Sequence, residues 1–394
     1  MNSTLVSRRN FLRASLAAGA AAAAYHTQLS VAAGSLVQSA QPRLLLPVKV
    51  ARNRLIRTVV GLRPFRSEGF VVSTERLGRK LLVHNYGHGG AGVTLSWGTA
   101  TLALDLARDF VQTAPVANQR RRSTSSINFA VLGCGVSGLT TALLLQRRFR
   151  APANTFTIYA KELPPNTVSN VAGAWWSPTT VYDASTITTQ FADQFYRACR
   201  ISNRAFQELV GPEYGVKWIE TVELYRDETS LQDELTGGND LYPQIEIDRD
   251  PANRFGYPVA RRFYSMIIEP HTYLRALTRD FLTAGGKIVV REFRTREEVA
   301  RLPEQIVFNC TGLGSRALMN DDKLFPVRGQ LEVLLPQPEI DYCYLAGGAY
   351  MFPRRDGIVL GGTWNRNDWS TEPYPAQTAR IIASHSEIMR NSVR

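Results

Sequence analysis

Three glycines, Gly133, Gly135 and Gly138, have the spacing G-x-G-x-x-G, which is used to bind the pyrophosphate of a dinucleotide. The first glycine permits a tight turn, the second lets the backbone approach the phosphates, and the third lets a helix lie close to a strand. A helix that begins here directs free N–H groups and the positive end of its dipole at the phosphates. The spacing therefore predicts a phosphate-binding turn.

This chemistry requires a strand before the glycines and a helix after them. Residues 129–132 (FAVL) are an apolar run typical of a buried parallel strand, and residues 139–149 have helical spacing. Residues 156–160 (FTIYA) predict the second parallel strand. Because strand, turn and helix follow one another, dinucleotide binding is favoured over a chance match. Such a unit usually opens its domain, yet residues 1–126 precede it here.

A second strand and glycine-rich loop lie upstream, in residues 81–94 (LLVHNYGHGGAGVT), and a helix is predicted at 95–110. Their glycines allow close approach to a flat or phosphorylated group. The segment 54–65 contains a strand that is predicted to stop at Gly61. Further helices are predicted at 187–210, 272–284 and 378–389, and further strands at 217–225, 287–292, 306–309, 329–335 and 357–363.

The composition argues against a nucleic-acid-binding protein despite a net charge of +12. No acidic residue occurs before Glu68, whereas ten Arg or Lys residues do, so the excess charge lies in a leader and the segment after it. Residues 111–126 read as a polar, solvent-exposed linker. The four cysteines, Cys134, Cys199, Cys310 and Cys343, have no metal-ligand spacing, and we expect small buried thiols and no metal site.

Residues 1–33 read as a targeting segment. A twin-arginine pattern, Ser7-Arg8-Arg9-Asn10-Phe11-Leu12, precedes an alanine-rich apolar run and the small residues Val31-Ala32-Ala33. The run is too short and too weakly apolar for a comfortable membrane span. The sequence predicts twin-arginine export to the periplasm or the medium, with an amphipathic organelle-targeting peptide as the alternative.

From Asn128 onward the chain resembles the D-amino-acid oxidase family of flavoenzymes. The motifs that carry the resemblance are VLGCGVSGLTTALLL, TIYAKEL, PPNTVSNVAGAWWSP, IVFNCTG, VRGQ and AYMFPRRDGIVLGGTWNRNDWS. In that family a GxRPxR segment and a HNYGHGGxGxT loop come at the C-terminal end. Here they stand at residues 61–66 and 84–94, ahead of the G-x-G-x-x-G turn. The chain therefore looks like a circular permutation of the family's order.

The resemblance implies an α/β fold in which a Rossmann-type FAD-binding domain is interleaved with an antiparallel-sheet substrate domain. The implied boundaries are a signal peptide at 1–33, the permuted C-terminal segment of the FAD-binding domain at 56–110, a linker at 111–126, a Rossmann core at 127–185, substrate-domain segments at 186–265 and 321–394, and a return to the FAD-binding domain at 266–320.

The activity implied is oxidative deamination of a D-amino acid. In the family the α-hydrogen of the substrate moves as hydride to N5 of non-covalently bound FAD, the imino acid hydrolyses to a 2-oxo acid and ammonia, and dioxygen gives hydrogen peroxide. No general acid or base is needed, because the protein supplies orientation and electrostatics. The implied partners are the D-amino acid and dioxygen, without nucleic acid or stable membrane insertion, and a homodimer is compatible with this reading.

The resemblance also assigns residues to roles. Arg63 and Tyr350 match the pair that binds the substrate α-carboxylate, and Gly90 matches the glycine whose carbonyl accepts the amine. The matches to FAD contacts are Gly89, Gly92, Val93, Thr94, Gly133, Gly135, Val136, Ser137, Lys161, Glu162, Thr167, Val168, Ser169, Ala174, Trp175, Ser177, Phe293 and Thr311.

The chain departs from the family pattern at three places. Lys161 stands where an acidic residue usually contacts the adenine ribose, so either Glu162 substitutes or an NADP reductase becomes a weak alternative. Ala346 replaces the second active-site tyrosine. Trp364 lies about where the D-aspartate-oxidising branch has an arginine, which argues for neutral side chains. A D-aspartate oxidase, an FAD-dependent amino-acid dehydrogenase and an inactive FAD-binding protein are the remaining alternatives.

Overall fold

The protein is described from a computed structural model that places residues 45–113, 127–150, 154–234, 239–249 and 255–391. The predicted leader and most of the predicted linker lie outside the described residues. Residues Pro47–Arg394 cluster as one compact unit. No helix in the described ranges is long and apolar enough to cross a membrane.

The strands of the described chain are, in order, β1 (Leu55–Phe65), β2 (Val71–Leu77), β3 (Lys80–Tyr86), β4 (Asn128–Leu132), β5 (Thr155–Ala160), β6 (Val216–Tyr225), β7 (Glu246–Asp248), β8 (Val259–Ile268), β9 (Lys287–Val290), β10 (Ile306–Asn309), β11 (Phe325–Leu334), β12 (Tyr342–Ala346), β13 (Ala349–Arg354), β14 (Gly357–Gly361) and β15 (Asn365–Arg366). The helices are α1 (Gly92–Thr113), α2 (Val136–Arg148), α3 (Thr189–Glu208), α4 (Glu228–Glu234), α5 (Pro270–Thr283), α6 (Arg296–Ala300), α7 (Ser315–Leu318) and α8 (Pro375–Asn391).

One sheet has six strands in the order β2-β3-β10-β4-β5-β9. Strands β3, β10, β4, β5 and β9 run parallel, and β2 is antiparallel to β3. The central strand β4 is an unbroken apolar run because both of its faces are covered, and Phe129, Ala130 and Leu132 are fully buried. The carboxyl ends of β3, β4 and β10 therefore meet at one edge of this sheet.

Helices α1 and α2 pack on this sheet, and α3 packs against α1. The side-chain hydroxyl of Thr140 on α2 donates to the Ser96 carbonyl on α1 at 3.2 Å, and the Gly98 amide on α1 donates to the Ser202 hydroxyl on α3 at 2.8 Å. A Cβ atom on Gly98 would lie 2.0 Å from the Ala198 carbonyl oxygen. The backbones of α1 and α3 are therefore in direct contact where these two helices cross, and only glycine fits there. The upstream helix α1 is thus an integral part of the layer around α2.

The second sheet has nine strands in the order β1-β11-β14-β13-β12-β6-β8-β7, with β15 paired to β11. All its pairings are antiparallel except that of β12 with β6. Together with the parallel sheet, it confirms the predicted α/β class with one parallel and one antiparallel sheet. Segment 56–110, which the sequence analysis treats as one FAD-binding piece, is divided between the sheets, because β1 pairs with β11.

Most predicted elements are present, with ends shifted by a few residues. One end is wrong: the first strand does not stop at Gly61 but continues to Phe65. A Cβ atom at Gly61 would lie 3.1 Å from Val171 Cγ1, so this glycine lets β1 pass close to the turn at Val168–Val171. All four cysteines are free and buried, as the sequence predicts.

Candidate active site

The glycine turn at residues 133–138 connects β4 to α2 with the geometry that phosphates require. Gly133 has a φ of +104°, its amide donates to the Tyr159 carbonyl at 2.7 Å, and a Cβ atom there would lie 2.5 Å from the Cys310 carbonyl oxygen. A Cβ atom on Gly138 would lie 2.0 Å from the Gly133 carbonyl oxygen. The N-cap residue Gly135 provides no side-chain cap of its own, and the first turn of α2 directs its backbone amides toward this edge of the sheet.

The turn Val168–Val171 lies against the N-terminus of α2. The Val136 amide donates to the Ser169 hydroxyl at 3.0 Å, and a Cβ atom on Gly135 would lie 3.1 Å from that hydroxyl oxygen. Thr167 donates to the Asn170 side-chain oxygen at 2.8 Å. The amide nitrogen Nδ2 of Asn170 is buried and finds no acceptor in the described part of the chain, so an additional acceptor at this turn would satisfy it.

The loop before α1 lies against the phosphate-binding turn through His88, a residue that the sequence analysis did not assign. His88 Nε2 lies 3.0 Å from Asn85 Oδ1, and His88 Nδ1 lies 3.4 Å from the Ser137 hydroxyl. Complete burial lowers the pKa of His88 to about 4, so the imidazole is neutral near pH 7. Asn85 Oδ1 can only accept, and the Nδ1 atom of His88 is therefore left to accept from Ser137.

Thr180 holds the glycines of the same loop close to Arg63. The Gly90 amide donates to the Thr180 carbonyl at 3.0 Å, and Gly89 has a φ of +56°. A Cβ atom on Gly90 would lie 2.0 Å from the Thr180 hydroxyl oxygen and 3.6 Å from Arg63 Cδ. Only glycine fits here. At the start of α1, Val93 and Thr94 are buried, and the Thr94 hydroxyl accepts from the Ser177 amide at 3.4 Å.

Arg63 on β1 is brought together with Tyr350 on β13. Its Nη2 donates to the Tyr350 hydroxyl at 3.4 Å, and its Nη1 donates to the Thr363 carbonyl at 3.3 Å. The Trp364 ring lies beside the guanidinium, with its centre 5.4 Å from Cζ. No carboxylate within the described ranges forms an ion pair with Arg63, so its charge is available to an anionic ligand.

Two glycines make room for this pair. A Cβ atom on Gly329 of β11 would lie 2.5 Å from both terminal nitrogens of Arg63. A Cβ atom on Gly361 of β14 would lie 2.1 Å from the Tyr350 ring. The three predicted substrate residues, Arg63, Tyr350 and Gly90, are therefore gathered at one place by strands β1, β11, β13 and β14 and by the loop before α1.

Other predicted cofactor residues contact different partners. The Trp175 indole donates to the Thr221 hydroxyl at 3.1 Å and stacks on Phe352, so it packs under the antiparallel sheet. Lys161 and Glu162 are exposed after β5, and Lys161 Nζ lies 4.0 Å from a Glu292 oxygen. Phe293 packs edge-on against Tyr159, with Arg291 over its ring. Thr311 donates to Asn309 Oδ1 at 2.8 Å at the end of β10.

Comparison with known proteins identifies the family. The family model described as FAD dependent oxidoreductase matches residues 128–393. A D-amino-acid oxidase from Rubrobacter xylanophilus is 34% identical over 260 residues, which is 64% of this chain and 74% of that protein. A D-amino acid oxidase from Dugesia ryukyuensis is 30% identical over 265 residues, 65% of this chain and 76% of that protein. A D-aspartate oxidase from Homo sapiens is 31% identical over 259 residues, with coverages of 65% and 73%.

The chain belongs to the FAD dependent oxidoreductase family. Solved structures agree in fold: glycine oxidase from Geobacillus kaustophilus has a TM-score of 0.51 at 16% identity and covers 68% of this chain and 80% of its own. L-proline dehydrogenase from P. horikoshii has a TM-score of 0.50 at 16% identity, with coverages of 66% and 76%. The resemblance to flavoenzymes is thereby confirmed.

The residues present fit FAD. The glycine turn at 133–138, the N-terminus of α2 and the Asn170 side-chain amide, which lacks an acceptor in the described part of the chain, offer N–H donors at one edge of the parallel sheet, as a diphosphate needs. The loop that contains Gly89–Ala91 contacts both regions: His88 lies beside Ser137 of the phosphate-binding turn, and Gly90 lies beside Arg63. No group of three or more potential metal ligands occurs in the described ranges.

Proposed function

We propose that this flavoprotein oxidises D-amino acids to 2-oxo acids and ammonia, with dioxygen reduced to hydrogen peroxide. The observation that carries the proposal is the Arg63 guanidinium, which pairs with no described carboxylate and lies beside the Tyr350 hydroxyl and Gly90. The relatives named D-amino-acid oxidase and D-aspartate oxidase support the same reaction class.

In this proposal the protein orients the substrate at three points. The Arg63 fork and the Tyr350 hydroxyl bind the α-carboxylate, because a planar bidentate cation matches a carboxylate. The Gly90 carbonyl accepts a hydrogen bond from the amine. When bound, FAD supplies the acceptor for the hydride that leaves the α-carbon. With carboxylate and amine both held, only one enantiomer directs its α-hydrogen to the acceptor.

A visible absorption spectrum of the purified protein tests this proposal. We expect an oxidised flavin band that bleaches on anaerobic addition of D-amino acids and is unchanged by the L-forms. A flavin band that never bleaches would contradict turnover and favour an inactive FAD-binding protein. Bleaching that air does not reverse would favour the dehydrogenase alternative.

Arg63→Ala tests the carboxylate assignment. Two charge-assisted hydrogen bonds are lost, so we expect kcat/KM to fall by about 10² to 10³-fold while FAD remains bound. Arg57→Ala is the matched control, because Arg57 lies on the same strand, is exposed and pairs with Asp356. Unchanged turnover in Arg63→Ala would contradict the assignment of Arg63 to the substrate α-carboxylate.

We also propose that the chain is a circular permutant of the family. Strand β3 pairs with β10 in the parallel sheet, α1 packs on α2, and the family model begins only at residue 128. A reordered chain that begins at Asn128 and carries residues 47–113 at its end should fold and bind FAD. Export by the twin-arginine pathway stays a prediction, tested by replacing Arg8 and Arg9 with lysine and following the protein's location.

A further inference from the structure

The face of the antiparallel sheet that carries Arg63 and Tyr350 continues beyond them as a row of directly paired residues. Across β14, β13, β12, β6 and β8 the register aligns Gly361, Tyr350, Leu345, Glu223 and Arg261. Their side chains share this face, because Leu345 and Tyr350 pack on the apolar cluster that contains Phe263, and the Arg261 guanidinium lies 5.1 Å from the centre of the Phe263 ring. A substrate bound at Tyr350 therefore lies near one end of this row, and Arg261 lies at the other.

The far end of the row is a buried ion pair that the proposed reaction does not use. Arg261 Nε donates to a Glu223 oxygen at 2.7 Å, and the Tyr225 hydroxyl donates to the same oxygen at 2.8 Å. Arg261 and Glu223 are only 5% and 9% exposed. The Nη1 atom of Arg261 finds no hydrogen-bond acceptor in the described part of the chain. Because a buried donor without an acceptor is costly, this end of the row favours a ligand that supplies one.

Leu345 forms the floor between the two ends. Leu345 and Tyr350 are half-buried, whereas Glu223 and Arg261 are buried. Neighbouring strands are about 4.8 Å apart, so the Glu223 backbone lies about 10 Å from that of Tyr350. The Tyr350 ring lies over Gly361, on the side away from Leu345, since a Cβ atom on Gly361 would lie 2.1 Å from it. A ligand whose carboxylate is at Tyr350 needs a side chain of about six atoms over Leu345 to reach the ion pair.

A series of contacts connects the ion pair to the loop that is predicted to bind the substrate amine. The Tyr242 ring packs on Phe263, the ring beside the guanidinium of the pair, with their centres 4.6 Å apart. The Tyr242 hydroxyl donates to the Ser177 hydroxyl at 3.4 Å. Ser177 is followed closely by Thr180, whose carbonyl accepts from the Gly90 amide at 3.0 Å. Tyr242 and Ser177 therefore form a side wall between the amine-binding loop and the ion pair.

We propose that the substrate side chain lies along this row, over Leu345, and that Arg261 donates to an uncharged carbonyl group at its end. This inference rests on the proposed function. Glu223 neutralises Arg261, so a charged end group would bring an uncompensated charge into a buried place. A carboxamide or ureido oxygen instead supplies the acceptor that Nη1 lacks. D-Citrulline has both the length and the end group that fit.

D-Citrulline, D-arginine and D-2-aminooctanoate test this subsite, because their side chains have similar lengths and differ in the end group. The ureido group of D-citrulline has a carbonyl oxygen, the guanidinium of D-arginine has a charge and only donors, and D-2-aminooctanoate ends in a methyl group. We expect kcat/KM to be about tenfold higher for D-citrulline than for either of the others. A value for D-citrulline no higher than that for D-2-aminooctanoate would overturn the subsite.

Replacing both partners of the pair, Arg261→Met with Glu223→Leu, removes the end-group contact without leaving a buried charge unpaired. We expect the preference for D-citrulline over D-2-aminooctanoate to be lost. The matched control is Arg262→Met with Glu220→Leu. Arg262 Nε donates to Glu220 at 2.9 Å on the same two strands, and successive side chains alternate between the faces of a sheet, so this pair lies on the opposite face. The control should keep the preference, and a preference that survives replacement of Arg261 and Glu223 would overturn the subsite.

Binding of 5-ureidopentanoate and octanoate, which correspond to two of these substrates without the amine, needs no turnover and can be measured by calorimetry on the FAD-loaded protein. We expect 5-ureidopentanoate to bind about tenfold more tightly, and this difference to disappear when Arg261 and Glu223 are both replaced. Equal binding, with D-alanine oxidised by the unaltered enzyme, would overturn the subsite and keep the proposed function. Oxidation of no D-amino acid would overturn the proposed function, and a calorimetric preference that depends on the ion pair would still support the subsite.

Discussion

Gly329 lies directly under the Arg63 guanidinium, so Gly329→Ala probes the substrate site without touching the arginine. The added Cβ would lie 2.5 Å from both terminal nitrogens, against the 3.4 Å at which ordinary contact begins. Because Gly329 is paired to Gly61 across β1 and β11, the backbone has little freedom to move. The guanidinium must retreat by about 1 Å, a displacement that costs an oriented site about 10²-fold in rate.

Such a shift would break contacts that are already long. The hydrogen bonds from Arg63 to Tyr350 and Thr363 measure 3.4 Å and 3.3 Å, so both are lost when the nitrogens move away. We expect kcat/KM for D-amino acids to fall by about 10²-fold, equivalent to about 2.7 kcal/mol of transition-state stabilisation. We expect FAD affinity to stay unchanged, because the atoms nearest to the added Cβ all belong to Arg63.

The assay is steady-state peroxide production over a range of substrate concentrations, with FAD affinity followed by flavin fluorescence. Gly78→Ala on the turn between β2 and β3 is the control: no atom lies within 4 Å of its Cβ position, although its φ is +61°. A Gly329→Ala protein with native circular dichroism and a kcat/KM within threefold of the unaltered enzyme would refute this account of the site.

Two further predictions concern buried cations and histidines. Arg328 is fully buried and donates to Ser370, Glu372, Gln330 and Gln377, so Arg328→Lys should lower the free energy of unfolding by about 2 to 3 kcal/mol and open residues 364–374 to proteases. Unchanged denaturant midpoints would contradict that role. Burial lowers the pKa of His88 and His385 to about 4 in the folded protein, whereas the unfolded chain takes up protons below about 6.5. Stability should therefore fall between pH 7 and pH 4 by up to about 3 kcal/mol per histidine, and His385→Gln should weaken this dependence in denaturation curves. Equal stability at pH 7 and pH 4.5 would contradict the neutral imidazoles.

Much of the predicted cofactor-binding region could be inferred from the sequence, because its conformation depends on residues that are close together in the chain. The turn at Gly133 and Gly138 depends on backbone clashes between residues a few positions apart, and the apolar run of β4 reflects burial on both faces. The four buried thiols follow from small residues in apolar surroundings. These features need no knowledge of distant strands.

The grouping of the predicted substrate-binding residues depends on the tertiary structure. Arg63 and Tyr350 are 287 positions apart and meet only through the register of β1, β11, β14 and β13. The family resemblance alone named them, because a lone arginine after a strand carries no periodic signal. The continuation of β1 through Gly61, the use of the Trp175 indole in packing and the neutral imidazole of His88 also escaped sequence reasoning. Each depends on which distant atoms lie within contact distance, which spacing along the chain does not determine.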